Sequence, residues 1–527
     1  MSETFSPNRF SRRRFLANTG TIALASALPR SLLAATPIPK PARYHRLSLA
    51  DPGAKQALES YKKAIKAMLK LPPTDPRNWY RNAFIHLLDC PHSNWWFLVW
   101  HRGYLGWFEK TCRELSKDQD FALPYWDWTA DPRIPASFFE DVLDPMNSAY
   151  ITDVAELKTK FTDPISSFWK SLSAAQLKQL KLRTYESLDD FLTFLPQVFI
   201  ATHHPRTLTP AKPDFDRRTQ KAVRRSTLFA ALTARTFLEF ASDKAPYHSK
   251  GMMGEQILEV EPHDNVHQNV GGLMWNHLSP IDPLFFVHHA NIDRWWDVWT
   301  RKQQAQGLKA LPTGADLEAW SSEEFNFYID QEGKPVSQNK AGEYARMSRF
   351  EYDYQPGSGE EVVQEKPTEL AVSMSGKRFP AAIESAALAL SQRATSVVKV
   401  PPDLVQAAST DTGPTLFARI TVDPPADPRN VLLDVFVNAP GGAADVEPES
   451  PYFAGSFVFF GFGFHHHAEG PITFAVPLSP ALKEMRSANR LKVDEPLRIQ
   501  VVLKAKDPGS AAQKLKGSLQ KVVVGTF

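Results

Sequence analysis

Following hydrophobic and polar positions along the chain divides it into two textures. Residues 54–70 carry apolar side chains at helical spacing beside a basic face, and Leu71-Pro72-Pro73 stops that predicted helix. Trp79 to Leu115 keeps the helical period and is rich in aromatic residues. Further helices are predicted within 156–200, 215–241 and 284–300. From about 355 the texture changes: Gln355-Pro356-Gly357-Ser358-Gly359 reads as loop and 359–367 is charged. After Val398 the runs are short and β-rich, at Leu416–Val422, Val431–Val437, Phe457–Phe464, Ile472–Val476 and Leu497–Leu503. Turns rich in Pro, Gly and Asp split them, the pattern of a β-sandwich or barrel. The expectation is a mainly α domain over 36–355, a linker over 356–400 and an all-β sandwich over 401–527. No fixed-period repeat is present.

Composition adds little to this picture except at the N-terminus. At 527 residues with 43% hydrophobic and 23% charged, the chain is ordinary globular material. Its 42 prolines agree with a loop- and strand-rich part, and two cysteines rule out a disulfide framework. Arg12-Arg13-Arg14-Phe15-Leu16, a weakly apolar stretch to Leu28 and Leu32-Leu33-Ala34-Ala35 read as a twin-arginine export signal over 1–35. Five Arg and one Glu lie in that segment, so its removal after Ala35 takes the formal charge from +3 to −1. A near-neutral mature chain argues against nucleic acid as a partner. No later stretch is apolar enough to span a membrane. The expected location is therefore periplasmic or extracellular, reached through the twin-arginine machinery.

The chemistry lies in the placement of the 15 histidines. One cluster reads His86-x3-Cys90-x-His92-x8-His101. The second reads His263-x3-His267, with His289 following. His263 and His267 share one helix face and can reach one metal. Two sets of three imidazoles, with no carboxylate spaced as a ligand, suit copper better than carboxylate-bound iron or structural zinc. Gly461-Phe462-Gly463 is no dinucleotide loop, since His466 stands at the third glycine position and no helix follows. There is neither a P-loop nor a serine nucleophile elbow.

Longer motifs surround these histidines: Cys90-Pro91-His92, His101-Arg102-Gly103-Tyr104-Leu105 and Leu123-Pro124-Tyr125-Trp126-Asp127-Trp128. Glu259 to His267 and Ser279 to Arg294 form two more, and Tyr352-Asp353-Tyr354 closes the helical part. With them the chain resembles the type-3 copper family of tyrosinases, catechol oxidases and hemocyanins. The resemblance implies a four-helix bundle around two copper ions, with O2 bound between them as bridging peroxide. His86, His92 and His101 map to the first copper, and His263, His267 and His289 to the second. His289 is preferred over His288 because Asp293, four residues on, fits the family's motif. His288 then becomes a neighbouring hydrogen-bonding group. Asp293 and Arg294 are expected to pair.

Further roles follow from the same resemblance. Cys90 would form a thioether with His92; a free buried thiol or a disulfide with Cys112 are the alternatives. Glu259 fits the carboxylate that holds a water for phenol deprotonation. Asp264 replaces the usual Asn after His263 and would act either as base or as a repelling charge. Asn276 would overhang the second copper. The C-terminal domain would be a lid, with Phe453 or else Tyr452 in the substrate's place until a protease cuts the linker. His465-His466-His467 would pass copper, bind stray metal or be a solvated loop. The implied activity is oxidation of monophenols and o-diphenols by O2 to o-quinones, and hence to melanin-like pigment. Catechol oxidation alone is the alternative; an O2 carrier or a copper-handling protein follows behind.

Overall fold

The computed structural model describes residues 42–527 except 203–204, 252, 382–385, 442–445, 461–469 and 507–514. The export segment over 1–35, Gly461–Gly463 and His465–His467 fall outside these residues. Four long or site-bearing helical segments form the centre of the helical part: Trp79–Asp89, Phe97–Ser116, the continuous stretch Glu259–Val270 and Leu284–Ala305. The helix Ala54–Lys70 packs along Phe97–Ser116, and shorter helices cover 154–240. Trp79–Asp89 is buried on every face, as expected of a helix in the middle of a large core. Its first turn is closed by Asn78, whose side chain accepts from the Tyr80 amide at 3.0 Å.

Tryptophans make this core dry, and four of them place the indole N–H on an acceptor. Trp79, Trp96, Trp100 and Trp299 are all buried. Their indole N–H groups donate to Ile281 O, Trp320 O, Asp89 Oδ2 and Ala234 O at 2.8–3.0 Å. The helical part is closed by a short parallel pair, β1 (Tyr44–Arg46) and β2 (Tyr352–Tyr354). Here one expectation is corrected. Asp293 does not pair with Arg294, because neighbours on a helix point about 100° apart. Asp293 instead binds Arg102 at 2.6 Å and accepts the hydroxyls of Tyr352 and Tyr354, while Arg294 turns to Asn291 Oδ1 and Ser358 O.

The C-terminal part is two antiparallel sheets packed face to face. One runs in the order β5 (Arg393–Val398), β10 (Leu497–Ala505), β7 (Val431–Val437), β8 (Phe453–Val458). The other runs β3 (Arg378–Pro380), β11 (Gly517–Thr526), β6 (Leu416–Asp423), β9 (Ile472–Pro477), with β4 (Ala386–Leu388) also on β11. The segment 356–400, read from the sequence as a linker, thus contributes β3, β4 and β5. The interior is aliphatic and aromatic, with Phe457 stacked on Phe474 at 4.3 Å across the two sheets.

Residues 42–527 form one compact unit, and the sandwich is bolted to the helices by polar contacts. Arg218 binds Asp434 through two 2.8 Å bonds, and Lys221 binds Glu484 at 2.9 Å. Asn265 donates to Ser456 O at 3.1 Å and accepts from Ser456 Oγ at 2.9 Å. Strand β8 runs so close to the Glu259–Val270 stretch that a Cβ on Gly455 would lie 1.9 Å from Glu261 Oε1, so only glycine fits there.

Candidate metal centre

Each central helical segment delivers imidazoles to one place. His86 comes from Trp79–Asp89 and His101 from Phe97–Ser116; His263 and His267 lie on Glu259–Val270, and His288 and His289 on Leu284–Ala305. His92 sits on the loop between the first two helices. That loop turns through Ser93, which has φ 57°, an uncommon conformation for a residue with a side chain. Two carboxylates hold the turn: Ser93 N donates to Glu259 Oε1 at 2.7 Å and Ser93 Oγ to Glu255 Oε1 at 2.5 Å. Residues 259–264 are wound as a π-helix with Pro262 inside. Pro262 has no N–H to continue the α ladder, and wide turns of this kind recur at functional sites.

The structure gathers His86, Cys90, His92 and His101 in one group and His263, His267, His288 and His289 in another. In each group the candidate ligand atoms lie within 4.8 Å of one another. The two groups adjoin, for the His101 and His289 rings stack at 4.2 Å and those of His92 and His263 are 5.5 Å apart.

Hydrogen bonds on the outer nitrogens fix which atom faces inward. The Nδ1 atoms of His86, His101 and His267 donate to the carbonyls of His277 (2.8 Å), Phe97 (2.7 Å) and Met274 (2.6 Å). His263 Nδ1 donates to Asp264 Oδ1 at 2.7 Å. All four therefore turn an Nε2 lone pair to the interior, that of His101 meeting Cys90 Sγ at 3.4 Å. Among the described residues the buried Nε2 atoms of His86 and His263 have no hydrogen-bond partner, and His267 Nε2 faces His289 Nε2 at 3.2 Å. Burial pushes every one of these imidazoles well below the usual 6.5, His101 and His267 to about 3, so they are neutral. Converging, neutral imidazole nitrogens with no carboxylate in either group fit copper; the groups bring together the six histidines singled out in the sequence, with Cys90 and His288 beside them.

His288 behaves differently. It accepts the Trp128 indole N–H on Nδ1 at 3.2 Å. An indole can only donate, so a neutral His288 carries its proton on Nε2 and has no lone pair to offer there. His289 has no such bond.

The other expected site residues are placed as follows. Cys90 Sγ lies 3.4 Å from His92 Nδ1 and 3.9 Å from Nε2, so it faces the ring edge between them. Cys90 and Cys112 are both buried and unbridged. Glu259 is saturated, since Ser242 Oγ donates to its second oxygen at 2.5 Å. Among the described residues no N–H or hydroxyl donates to Asp264 Oδ2, and the Asp264 and Glu255 carboxyls hydrogen-bond to each other. Burial raises the carboxyls of Glu255, Glu259 and Asp264 well above their ordinary range, and their mutual repulsion raises them further. Asn276 spends its side chain on Leu278 N (2.7 Å) and Val198 O (3.3 Å), shaping the turn. The loop residue facing the histidines is its neighbour His277, whose ring lies 5.3 Å from His92.

The lid residue is corrected. Phe453 and Tyr452 belong to the sandwich core; Phe453 is fully buried against Phe436 at 5.5 Å. They sit at the start of β8, whereas the strand's far end reaches the site. There Phe460 places its ring 4.9 Å from His92, 5.5 Å from His263 and 4.7 Å from His267. Sequence reading missed Phe460 because it extended the strand to Phe464 and so treated the whole run as sheet. The large aromatic pair Phe459-Phe460 ahead of Gly461 was the available signal.

Residues 60–302 match the family described as the common central domain of tyrosinase. That domain belongs to the type-3 copper family. (+)-Larreatricin hydroxylase of Larrea tridentata is 28% identical over 279 residues, covering 48% of this chain and 40% of its own. A chloroplastic polyphenol oxidase of Vitis vinifera is 27% identical over 328 residues, covering 57% and 46%. The matched part thus spans less than half the length of these relatives. A latent aurone synthase (polyphenol oxidase) structure aligns over 93% of this chain and 91% of its own, with a TM-score of 0.58 at 19% identity. The helical core followed by a β-sandwich is therefore a known arrangement of this fold. Among the described residues no helix is long and apolar enough to cross a membrane.

Proposed function

We propose that this protein is a latent copper oxidase of phenols, closed by its own C-terminal sandwich. The observation that carries the reading is the Phe460 ring lying against His92, His263 and His267, where a phenol would have to enter. Bound copper would supply the O2 chemistry and the electron exchange that turn a phenol into an o-quinone. The chain's own residues do the rest. His86, His92 and His101 would hold one ion, and His263, His267 and His289 the other. The carbonyl and carboxylate partners of their Nδ1 atoms fix tautomer and aim. The tryptophan shell keeps water out. A Cys90–His92 thioether would lock the ring that has no helix to hold it.

Hydroxylation of a monophenol also needs a base for a proton with pKa near 10. Glu259 has both oxygens engaged, so its role is to brace the His92 turn. Asp264, bonded to His263 and to the Glu255 carboxyl, is the remaining candidate. If it does not serve, the enzyme oxidises catechols only, and the saturation of Glu259 favours that second reading. The test is oxidation of L-tyrosine and L-dopa by the copper-loaded chain before and after limited proteolysis, with Asp264→Asn alongside. Quinone from both substrates that appears only after cutting supports a latent tyrosinase. Quinone from L-dopa alone means a catechol oxidase. No quinone from either, with copper bound, refutes the proposal.

A further inference from the structure

The seam between helices and sandwich encloses a cavity of about 690 Å³ that none of the metal-centre histidines lines. Its volume lies in the range of small-molecule sites. The walls come from both parts of the chain. Phe229 and Leu232 lie on the helix Arg225–Leu232, Lys302 lies on Leu284–Ala305, and Pro414, Thr415 and Lys483 belong to the sandwich. Two of the lining residues meet across the seam, Thr233 Oγ1 donating to Thr415 Oγ1 at 2.8 Å.

Charge in this cavity does not balance. Arg224, Arg225, Arg235, Lys302, Lys366 and Lys483 line it, against the carboxylates of Glu365 and Asp411. Arg224 pairs with Glu484, Arg225 with Glu361 and Lys483 with Asp411. Among the described residues Arg235, Lys302 and Lys366 pair with no carboxylate. Lys302 matters most, because it is only 7% exposed. Its ammonium makes one hydrogen bond, to Leu232 O at 2.5 Å, which leaves its other protons without an acceptor among the described residues. Burial and the neighbouring Arg235 pull its pKa down to about 8, so it is still a cation at pH 7. Arg224 Nη2, on the same cavity, is also buried without an acceptor among the described residues. Glu365 does not supply the missing counter-charge. Arg225, Lys302 and Lys483 all act on its carboxyl, yet it forms an ion pair with none of them and is exposed. Buried cations are otherwise paired, so these donors call for an anion. Phe229, Leu232 and Val362 give the same cavity an apolar wall.

We propose that this cavity binds an organic monoanion with an apolar body, its carboxylate on Lys302 and its body against Phe229, Leu232 and Val362, and that the bound anion ties the sandwich to the helical part. A small inorganic anion would answer the charge and leave the apolar wall bare. An uncharged apolar molecule would leave the Lys302 protons unsatisfied. Because both parts build the walls, the ligand has its full set of contacts only in the docked arrangement and so favours it. The site depends neither on copper nor on the phenol-oxidase reading.

The test uses the full-length chain at pH 7 and calorimetry with octanoate, 1-octanol, octylammonium and sulfate. Octanoate should bind at least about tenfold tighter than each of the others, the scale of a hydrogen bond to a charged group. Lys302→Met, which keeps the apolar stem, should weaken octanoate about tenfold and move 1-octanol less than about twofold. Lys366→Glu changes an exposed charge and spares the packing; it should weaken octanoate about two- to threefold. In hydrogen–deuterium exchange, octanoate should protect amides on both walls, within 225–235 and within 411–416. Three results would each overturn the proposal: 1-octanol binding as tightly as octanoate, octanoate affinity unchanged in folded Lys302→Met, or protection confined to one wall. If Lys302→Met does not fold, Lys366→Glu and the octanoate-to-octanol ratio decide the matter in its place.

Discussion

Phe460→Ala in the full-length, copper-loaded chain isolates what one ring contributes to closure. The ring is 5% exposed and packs on imidazoles and Trp275, while the hydrophobic interior of the sandwich is built from other residues. Burying a phenylalanine side chain is worth about 3 kcal/mol. A substrate must displace the ring, so its apparent affinity is reduced by the fraction of chains that are open, about a hundredfold for that energy. Phe460→Ala should therefore raise kcat/KM for 4-methylcatechol by about a hundredfold in oxygen-uptake assays. The proteolytically opened chain sets the ceiling. The same burial also holds the closed chain folded, so the melting temperature should fall too, by no more than a loss of about 3 kcal/mol accounts for. Phe453→Ala is the contrasting variant: it should cost about 3–5 kcal/mol of stability yet leave the chain latent well below its melting point. If uncut Phe460→Ala is as slow as the parent while both become fast on cutting, the ring is not the block. The account of latency given above would then be wrong.

Four further outcomes follow. His289→Ala should lose one of two bound coppers by metal analysis, whereas His288→Ala should keep both with affinity weakened by about 10–100-fold. In the native, copper-loaded protein the peptide holding Cys90 and His92 should be lighter by the two hydrogens lost to a thioether and resist alkylation; Cys90→Ser should restore the ordinary mass. Asp293→Ala leaves the buried Arg102 guanidinium without its 2.6 Å partner and should cost about 3–5 kcal/mol in thermal or denaturant unfolding. His248 gives a pH signature: burial opposes its charge, but Asp89 at 3.2 Å and Glu323 at 2.6 Å overcome it and hold its pKa above the usual 6.5. That stabilisation is complete below 6.5 and fades as pH rises through the raised value, so the melting temperature of His248→Gln should fall less than the parent's between about pH 6 and about pH 9.

The helical site was legible because its ligands sit in motifs whose spacing is local. His263 and His267 share a helix face whatever else the chain does, and His86, His92 and His101 lie within 16 residues of one another. The choice of His289 over His288 rested on a motif, and the structure adds the physical reason in the Trp128 bond to His288 Nδ1. Hidden from the sequence were contacts joining distant segments. Nothing local to Glu259 says that Ser93 and Ser242 occupy both its oxygens, and nothing local to Asp293 says that Arg102, Tyr352 and Tyr354 surround it. The strands β3–β5 were missed for the same reason. Pairing with β10 and β11, distant in sequence, makes strands of a segment that reads as loop.

The misplaced lid residue shows how much a period of two could have told. Side chains alternate across a strand, so Phe457 and Phe459 share one face of β8 and its extension, and Ser456 and Phe460 share the other. The first, odd face is the sandwich interior, where Phe457 and Phe459 meet Phe474; a register shift between Val435 and Phe436 breaks the alternation ahead of Gly455 and sets Phe453 opposite Phe436. The even face looks at the helices, as the Ser456–Asn265 bonds demonstrate. An aromatic placed to enter the metal centre must lie on the even face, which excludes Phe457 and Phe459 and leaves Phe460. Phe453 is excluded by its place at the other end of β8, against Phe436. What the sequence withholds is which face meets the helices. Gly455, of the odd parity, makes a separate contribution: its missing side chain lets β8 lie close against Glu261 and Val476. Gly455→Ala should therefore lift β8 from the helices, and with it Phe460. Its expected result is partial activity in the uncut chain with the sandwich still folded. An uncut Gly455→Ala chain that folds and stays fully latent would sever the link between this close approach and closure of the site.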